Sequence, residues 1–255
     1  MNSQDIILKT TGLGKSFKGF SAVNDVNLDV TRGNIHALIG PNGAGKTTCF
    51  NLLTKFLEPT SGKIVFNGVD ITNEKPAQIA RRGIIRSFQI SAVFPHLSVL
   101  ENVRIALQRK LGTEFYFWKS VNSLNILNTK AEALLLEVGL IDFINEEAVN
   151  LPYGRKRALE IATTLAMDPE LMLLDEPTQG MGHEDVERVT ELIARVSIGR
   201  TILMVEHNMN VVSTIADRIT VLQRGSILAE GSYQEVSTNP LVVEAYMGTH
   251  VEGDA

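Results

Sequence analysis

The apolar residues of the chain fall into short runs and longer periodic stretches. IHALI (35–39), LMLLD (171–175) and TILMV (201–205) are nearly uninterrupted apolar runs, as expected of parallel strands buried on both faces. VNLDV (26–30) instead alternates apolar and polar residues, which indicates a strand with one exposed face. Further strands are predicted at Ile6–Leu8, Ile64–Asn67 and Ile84–Phe88.

Helical spacing dominates the middle of the chain. Ser98 with Glu101 has the spacing of a capping box, and Gly139 is placed to end a second helix. Alternation of strands and helices indicates an α/β fold, with a core at about residues 1–89 and 169–255 and a helical part at about 90–168. Helices are predicted at 45–56, 129–138, 184–196 and 240–247, and after Gly154, with a hairpin turning at Arg224–Gly225.

Composition narrows the classes of function. The chain has 255 residues, a net charge of −5 and a single cysteine, Cys49. The acidic balance argues against a nucleic-acid-binding surface, so no nucleic-acid partner is expected. One cysteine excludes an intramolecular disulfide framework. We expect no signal peptide, because the N-terminus MNSQDIILKT lacks a charged lead and a long apolar run. We expect no membrane span, because no run of about 18 apolar residues is present.

A phosphate-binding loop follows the strand at 35–39. GPNGAGKTT (40–48) fits the pattern G-x-x-x-x-G-K-[ST] between a strand and a helix. Glycines let backbone N–H groups turn toward phosphate oxygens, and the helix N-terminus adds partial positive charge. Lys46 is expected to reach the β- and γ-phosphates, and the Thr47 hydroxyl to ligate Mg²⁺. The predicted nucleotide-binding residues here are Gly40, Pro41, Asn42, Gly43, Ala44, Gly45, Lys46, Thr47 and Thr48.

Polar residues follow the other predicted core strands. Asp175 and Glu176 end LMLLDE, where ligands of open α/β sheets bind. We expect Asp175 to hold Mg²⁺. Strand alternation predicts that Glu176 points to the other side of the strand from Asp175. There it is placed to orient or deprotonate a water aimed at the γ-phosphate. Gln89 and His207 follow their strands in the same way. A functional role for either residue is supported only if its strand joins this sheet.

The order of these motifs resembles the nucleotide-binding subunit of ABC transporters, and the resemblance covers essentially the whole chain. Its most similar group is the ATPases of branched-chain amino acid importers, as carried by RSFQISAVFPHLSVLENV, LPYGRKRALEIATTLAMDPELMLLDEPTQGM and NPLVVEAYMG. The resemblance implies a P-loop NTPase core of the RecA-like type, an antiparallel β subdomain and an inserted α-helical subdomain. It implies an ATPase that uses ATP and Mg²⁺ to power import of a small solute.

The same resemblance implies roles for single residues. Phe17 matches the aromatic that stacks on adenine, and Glu176 matches the catalytic carboxylate. Gln89 matches the glutamine that senses the metal and the attacking water, and His207 the switch histidine that contacts the γ-phosphate. Residues 179–182 read QGMG and lack the aspartate that usually makes the cross-dimer contact of that loop.

LPYGRKR (151–157) matches the family's LSGGQ signature, a helix start that faces the nucleotide of the partner subunit. Leu151, Tyr153, Gly154 and Arg155 are therefore expected to bind the partner's ATP. Pro152 replaces a serine and removes both a hydroxyl and an N–H donor, although proline suits the first turn of a helix. The fixed charge of Arg155 is expected to offset part of that loss.

The resemblance also implies partners and a location. They are transmembrane permease subunits, a second ATPase subunit of the same or a different chain, and indirectly a periplasmic or extracellular solute-binding protein. The expected location is the cytoplasmic face of the inner membrane, as a peripheral subunit. Two alternatives remain: a soluble ABC protein acting on ribosomes or DNA, which usually has two fused cassettes, and a kinase, which would need an acceptor pocket.

Overall fold

A computed structural model describes residues 5–87, 93–108 and 125–247. Its strands are β1 (Ile6–Phe17), β2 (Phe20–Val26), β3 (Asp29–Thr31), β4 (Ile35–Ile39), β5 (Ser61–Phe66), β6 (Val69–Asp70), β7 (Ile84–Arg86), β8 (Leu171–Asp175), β9 (Thr201–Val205), β10 (Arg218–Gln223) and β11 (Ser226–Gly231). Its α-helices are α1 (Lys46–Leu53), α2 (Pro76–Arg81), α3 (Val99–Gln108), α4 (Asn128–Glu137), α5 (Tyr153–Ala166), α6 (His183–Val196), α7 (Met209–Ile215), α8 (Tyr233–Ser237) and α9 (Pro240–Met247). The α/β class is confirmed.

The central sheet has the order β11-β10-β4-β9-β8-β7 in the part of the chain that the structure describes. From β10 to β7 neighbouring strands are parallel, and β11 adds an antiparallel edge. Val205 at the end of β9 is paired with Leu38 of β4 and with Asp175 of β8. The carboxyl ends of these strands therefore form one edge, where ligands of such sheets bind.

Alternate side chains of the central strands enter two different hydrophobic layers. In β9, Ile202 and Met204 pack with residues of α3 to α6, whereas Leu203 and Val205 pack with α1 and the antiparallel strands. The second sheet pairs β1 with β2, β3 and β5, all antiparallel. The apolar runs therefore have the two-sided burial expected of them, and the helices of the middle region cover one face of the sheet.

Helix α3 begins as predicted. The Ser98 N–H donates to Glu101 Oε2 over 2.8 Å, and the Glu101 N–H donates to Ser98 Oγ over 3.2 Å, which completes the capping box. The strand predicted at 26–30 is wrong, because β2 ends at Val26 and β3 begins at Asp29. Asn27 accepts the Gly12 N–H over 2.8 Å and donates to the Asp25 carbonyl, a local side-chain bond that competes with the strand ladder.

No helix among residues 5–87, 93–108 and 125–247 combines the length and the apolar character that a membrane span needs. Cys49 is fully buried in α1, and burial raises the pKa of its thiol to about 12. It is therefore a small packed side chain and not a reactive thiol.

Candidate functional site

The phosphate-binding loop connects β4 to α1 and bends through three glycines. Gly40, Gly43 and Gly45 have φ values of 149°, 77° and 99°, a region that L side chains rarely adopt. A Cβ on Gly40 would lie 2.1 Å from the Leu222 carbonyl oxygen, and one on Gly45 would lie 2.5 Å from that of Ala22. The backbones of β10 and β2 thus lie directly against this loop, and no side chain fits at positions 40 and 45.

Lys46, the first residue of α1, folds its side chain back over the loop. Its Nζ donates to the carbonyl oxygens of Gly40 and Pro41, over 2.7 and 3.0 Å. Burial lowers the pKa of Lys46, and the charge of Glu176 opposes that shift. The ammonium group is therefore largely out of water with neutral carbonyls as its hydrogen-bond acceptors. A phosphate would be a stronger partner for it.

Asp175, the expected metal ligand, ends β8 and is paired with a cation that sequence reasoning missed. Arg86 of β7 donates one Nη to Asp175 Oδ2, and its other Nη donates to Asn51 Oδ1 over 2.7 Å. The contact of Arg86 with Asp175 was not predictable, because nothing in the sequence shows that β7 and β8 are neighbouring strands.

The oxygen donors at this edge fit Mg²⁺. Asp175 supplies a half-buried carboxylate, and the exposed Thr47 supplies a hydroxyl on the first turn of α1. Within the described residues, no group of three or more His, Cys, Asp or Glu side chains is arranged to hold a metal alone. Mg²⁺ commonly takes one or two carboxylates and completes its shell with phosphate oxygens and water. Asp175 and Thr47 would therefore suit a metal that also takes phosphate oxygens as ligands.

Glu176 leaves the strand instead of continuing it. Its φ is +45°, a sparsely populated conformation for a residue with a side chain. Because β8 ends at Asp175, strand alternation does not by itself fix the direction of the Glu176 side chain. The Glu176 N–H donates to the Val205 carbonyl over 2.9 Å, and its own carbonyl accepts the Gln179 N–H over 3.1 Å. These two hydrogen bonds thus stabilise an unfavourable backbone conformation at Glu176, as is common at functional sites.

Arg157 of α5 also holds the Glu176 segment, and it too was missed. Its Nε donates to the Pro177 carbonyl over 3.0 Å and one Nη to the Glu176 carbonyl over 3.2 Å. The other Nη donates to Glu160 Oε2 over 2.7 Å. Burial raises the pKa of Glu160 to about 7, against the opposing charge of Arg157. The i,i+3 spacing within LPYGRKRALE was a signal for this buried pair, but not for its contact with Glu176 and Pro177.

The predicted second anion site is the start of α5. Pro152 is its N-cap and no side chain caps the helix, so the loss of the serine is not compensated there. The exposed Tyr153 donates its hydroxyl to the Gln179 carbonyl over 3.1 Å. The Arg155 guanidinium lies 3.8 Å from the centre of the Phe143 ring. The charge of Arg155 is therefore stacked on an aromatic ring of its own chain.

Leu151 and Gly154 of the same segment face inward. Leu151 is buried. A Cβ on Gly154 would lie 2.7 Å from Asp185 Oδ1, so a side chain at this position would displace the Asp185 carboxylate of α6. Together with the Tyr153 bond, these contacts join the start of α5 to the segment that follows Glu176.

His207 and Phe17 are exposed at the surface. The His207 side chain follows β9 and is 56% exposed. Phe17 is 43% exposed at the end of β1 and pairs across the β1–β2 hairpin with Phe20. Since β2 also contacts Gly45 through Ala22, this hairpin lies beside the phosphate loop. Gln89 lies outside the described residues.

Comparison with known proteins shows the family. The model of the ABC transporter family matches residues 23–179. LivG of Escherichia coli K12, a high-affinity branched-chain amino acid transport ATP-binding protein, is 40% identical over 95% of this chain and 98% of its own. The chain belongs to the ABC transporter family. Its members carry an ATP-binding cassette, and this chain is an ATP-binding and ATP-hydrolysing subunit of that kind.

Two solved structures and a second family model agree with this assignment. The ADP conformation of an ATP-binding cassette of an ABC transporter superposes with a TM-score of 0.82 and 30% identity, over 95% of this chain and 99% of that one. A dimeric bacterial ABC transporter cassette gives a TM-score of 0.72 and 25% identity, over 89% and 98%. The model described as branched-chain amino acid ATP-binding cassette transporter matches residues 226–252. The predicted resemblance and the P-loop NTPase core are confirmed.

Proposed function

We propose that this ATPase powers an importer of branched-chain or related amino acids. The observation that carries the proposal is the similarity to LivG, which extends over nearly the full length of both chains. The separate match at residues 226–252 supports the same solute class. The chain is proposed to act as a peripheral subunit on the cytoplasmic face of the membrane, bound to permease subunits that receive solute from a binding protein.

The chain is proposed to bind the triphosphate of ATP with residues 40–48. Backbone N–H groups of the loop and the N-terminus of α1 would face the phosphate oxygens. Lys46 would exchange its carbonyl partners for the β- and γ-phosphates. Thr47 and Asp175 would hold Mg²⁺, with Gln89 as a further ligand, and the ion would neutralise charge on the transferred phosphoryl group.

Glu176 is proposed as the general base that accepts a proton from the attacking water, and His207 as a donor to the γ-phosphate. The charge of Glu176 acts on Lys46, which supports a position of the carboxylate beside the phosphate loop. Phosphoryl transfer depends on positioning and charge stabilisation rather than on covalent chemistry. The bonds to Val205, Gln179 and Arg157 supply that positioning for the Glu176 backbone.

A second ATPase subunit, of this chain or of a related one, is proposed to close the site. The α5 start of each subunit would face the nucleotide of the other, through the exposed side chains of Tyr153 and Arg155 and the backbone of Leu151 and Gly154, which makes ATP a bridge between two chains. A solved cassette of this fold is a dimer, which supports the arrangement. Loss of the γ-phosphate on hydrolysis would remove part of the bridge and reopen the pair.

Replacement of Phe17 by alanine is expected to raise the Kd for ATP about tenfold, because stacking on a base contributes roughly 1–3 kcal/mol. Phe20→Ala is the matched control, since Phe20 is the cross-strand partner of Phe17 and is also exposed. Titration of a fluorescent ATP analogue measures both variants. If Phe20→Ala weakens binding and Phe17→Ala does not, the adenine contact belongs to Phe20.

The proposed solute class is tested with the assembled transporter. We expect that the chain co-purifies with permease subunits from the membranes of its own cell, and that leucine with its binding protein stimulates ATP hydrolysis in proteoliposomes. Histidine or a sugar in place of leucine is the control and is expected to have little effect. Stimulation by a different class of solute and not by leucine, isoleucine or valine would contradict the proposed class and leave the ATPase assignment intact.

A further inference from the structure

Glu206 is a fully buried carboxylate at the functional edge of the sheet. It lies between Val205, the last residue of β9, and His207, and its exposed fraction is 0%. An ionised carboxylate in the interior is costly unless hydrogen bonds and charges compensate for lost water. Sequence reasoning gave Glu206 no role, since a glutamate after an apolar strand resembles an ordinary surface residue.

The carboxylate of Glu206 accepts hydrogen bonds from two separate loops. Its Oε1 accepts from the N–H and the hydroxyl of Thr178, the N–H over 3.3 Å. Its Oε2 accepts from the N–H of His207 over 2.7 Å and from that of Asn208 over 3.0 Å. All four of these groups act as donors, and the two oxygens of the Glu206 carboxylate accept from them.

The two loops joined in this way carry the two side chains assigned to the γ-phosphate. Thr178 is two residues after Glu176, and His207 directly follows Glu206. The His207 Nδ1 lies 3.6 Å from Glu206 Oε2, so the same carboxylate also faces the histidine ring. The backbone N–H of Glu206 donates to the Leu38 carbonyl of β4 over 3.4 Å. Glu206 is therefore also bonded to the strand that leads into the phosphate loop.

We propose that Glu206 is a positioning residue that fixes the Glu176 segment relative to His207. The inference rests on the proposed roles of Glu176 and His207 in ATP hydrolysis. Glu206 does not touch the nucleotide; it acts through the backbone of both loops. A displacement of about 1 Å between reacting groups can reduce a rate by about 100-fold, so a single buried carboxylate can control turnover without contributing to binding.

Thr178 offers a matched pair of variants. Thr178→Val keeps the shape and burial of the side chain but removes the hydroxyl donor, whereas Thr178→Ser keeps the donor and leaves a methyl-sized cavity. We expect Thr178→Val to lower kcat about tenfold, with the Kd for MgATP within about twofold of wild type. Thr178→Ser is expected to retain most of the activity. A purely packing role for Thr178 predicts the reverse order.

Glu206→Gln tests the carboxylate itself. A glutamine amide presents an N–H₂ group to one of the two loops, where at least one backbone N–H then faces another donor. We expect kcat to fall about tenfold or more and the stoichiometry of bound ADP to stay at the wild-type value. Glu132→Gln, on the exposed side of α4, is the charge-matched control. The stoichiometry of ADP binding separates an inactive folded variant from a misfolded one.

The kinetics of the variants test the role of Glu206, and those of the wild-type protein test the proposed function. Wild-type kcat in both Glu206→Gln and Thr178→Val, or a defect in Thr178→Ser alone, would overturn the role of Glu206. A rise in the Kd for MgATP that accounts for the whole loss of activity would overturn it as well, because Glu206 would then support binding. Absence of MgATP hydrolysis by the wild-type protein would instead contradict the proposed function.

Discussion

Glu176→Gln is expected to reduce kcat for MgATP hydrolysis at least about 100-fold and to leave ATP binding intact. Glutamine has the shape of glutamate but does not accept a proton at neutral pH. The backbone bonds of Glu176 to Val205, Gln179 and Arg157 do not involve its carboxylate, so the site should keep its geometry. Phosphate release measures turnover, and equilibrium titration measures binding.

The same variant should accumulate an ATP-bound dimer, which light scattering after size exclusion detects. Its control is Glu191→Gln, an exposed position on α6, which is expected to leave kcat unchanged. Normal hydrolysis by Glu176→Gln would show that another group is the base.

Lys46→Ala is expected to raise the Kd for MgATP about 100-fold, because hydrogen bonds to charged groups contribute roughly 1.5–3 kcal/mol and Lys46 is proposed to contact two phosphates. Burial lowers the pKa of Lys46, so removal of its charge relieves a desolvation cost. The nucleotide-free variant should therefore unfold at no lower a temperature than the wild type. It should also lose the rise in unfolding temperature that ATP produces.

Lys130→Ala, an exposed position on α4, provides the comparison for Lys46→Ala and should bind MgATP as the wild type does. Calorimetric titration with MgATP gives both constants. An unchanged Kd in Lys46→Ala would refute the phosphate-loop assignment.

Local signals predicted the parts of the site that are continuous in sequence. The phosphate loop was recognisable because its glycines, lysine and flanking apolar run lie within a few residues of each other. The capping box at Ser98 and Glu101 depends on neighbours three residues apart, and the structure confirms it. Asn27 shows the limit, since its side-chain bond to Gly12 across the sheet ends a strand that the alternation alone would continue.

The residues that hold the site together were not predictable from local pattern. Arg86, Arg157 and Glu206 act through contacts with residues 19 to 89 positions away in the chain. Each looks unremarkable in sequence, as an arginine in a strand, an arginine in a helix and a glutamate after a strand. Their roles depend on which strands are neighbours and on where α5 packs.

Arg155 shows how packing changes a prediction based on charge. In the sequence it appeared as a free cation at a helix start, suited to offset the missing serine at Pro152. In the structure its guanidinium stacks on Phe143. To contact a partner's phosphate, it must either leave that ring or bind the phosphate while it stays stacked. Its proposed contact with ATP stays a prediction.

The central claim is that each ATP is held by the phosphate loop of one chain and the α5 start of another. A mixture of two inactive variants tests it most directly. Lys46→Ala disables the phosphate loop, and Arg155→Glu places a negative charge at the exposed start of α5. In a mixed dimer, the loop of the Arg155→Glu chain faces the intact α5 start of the Lys46→Ala chain, so one site is whole. Phosphate release from MgATP should therefore rise well above that of either variant alone. A rate equal to the average of the two separate variants would contradict a site shared between two copies of this chain.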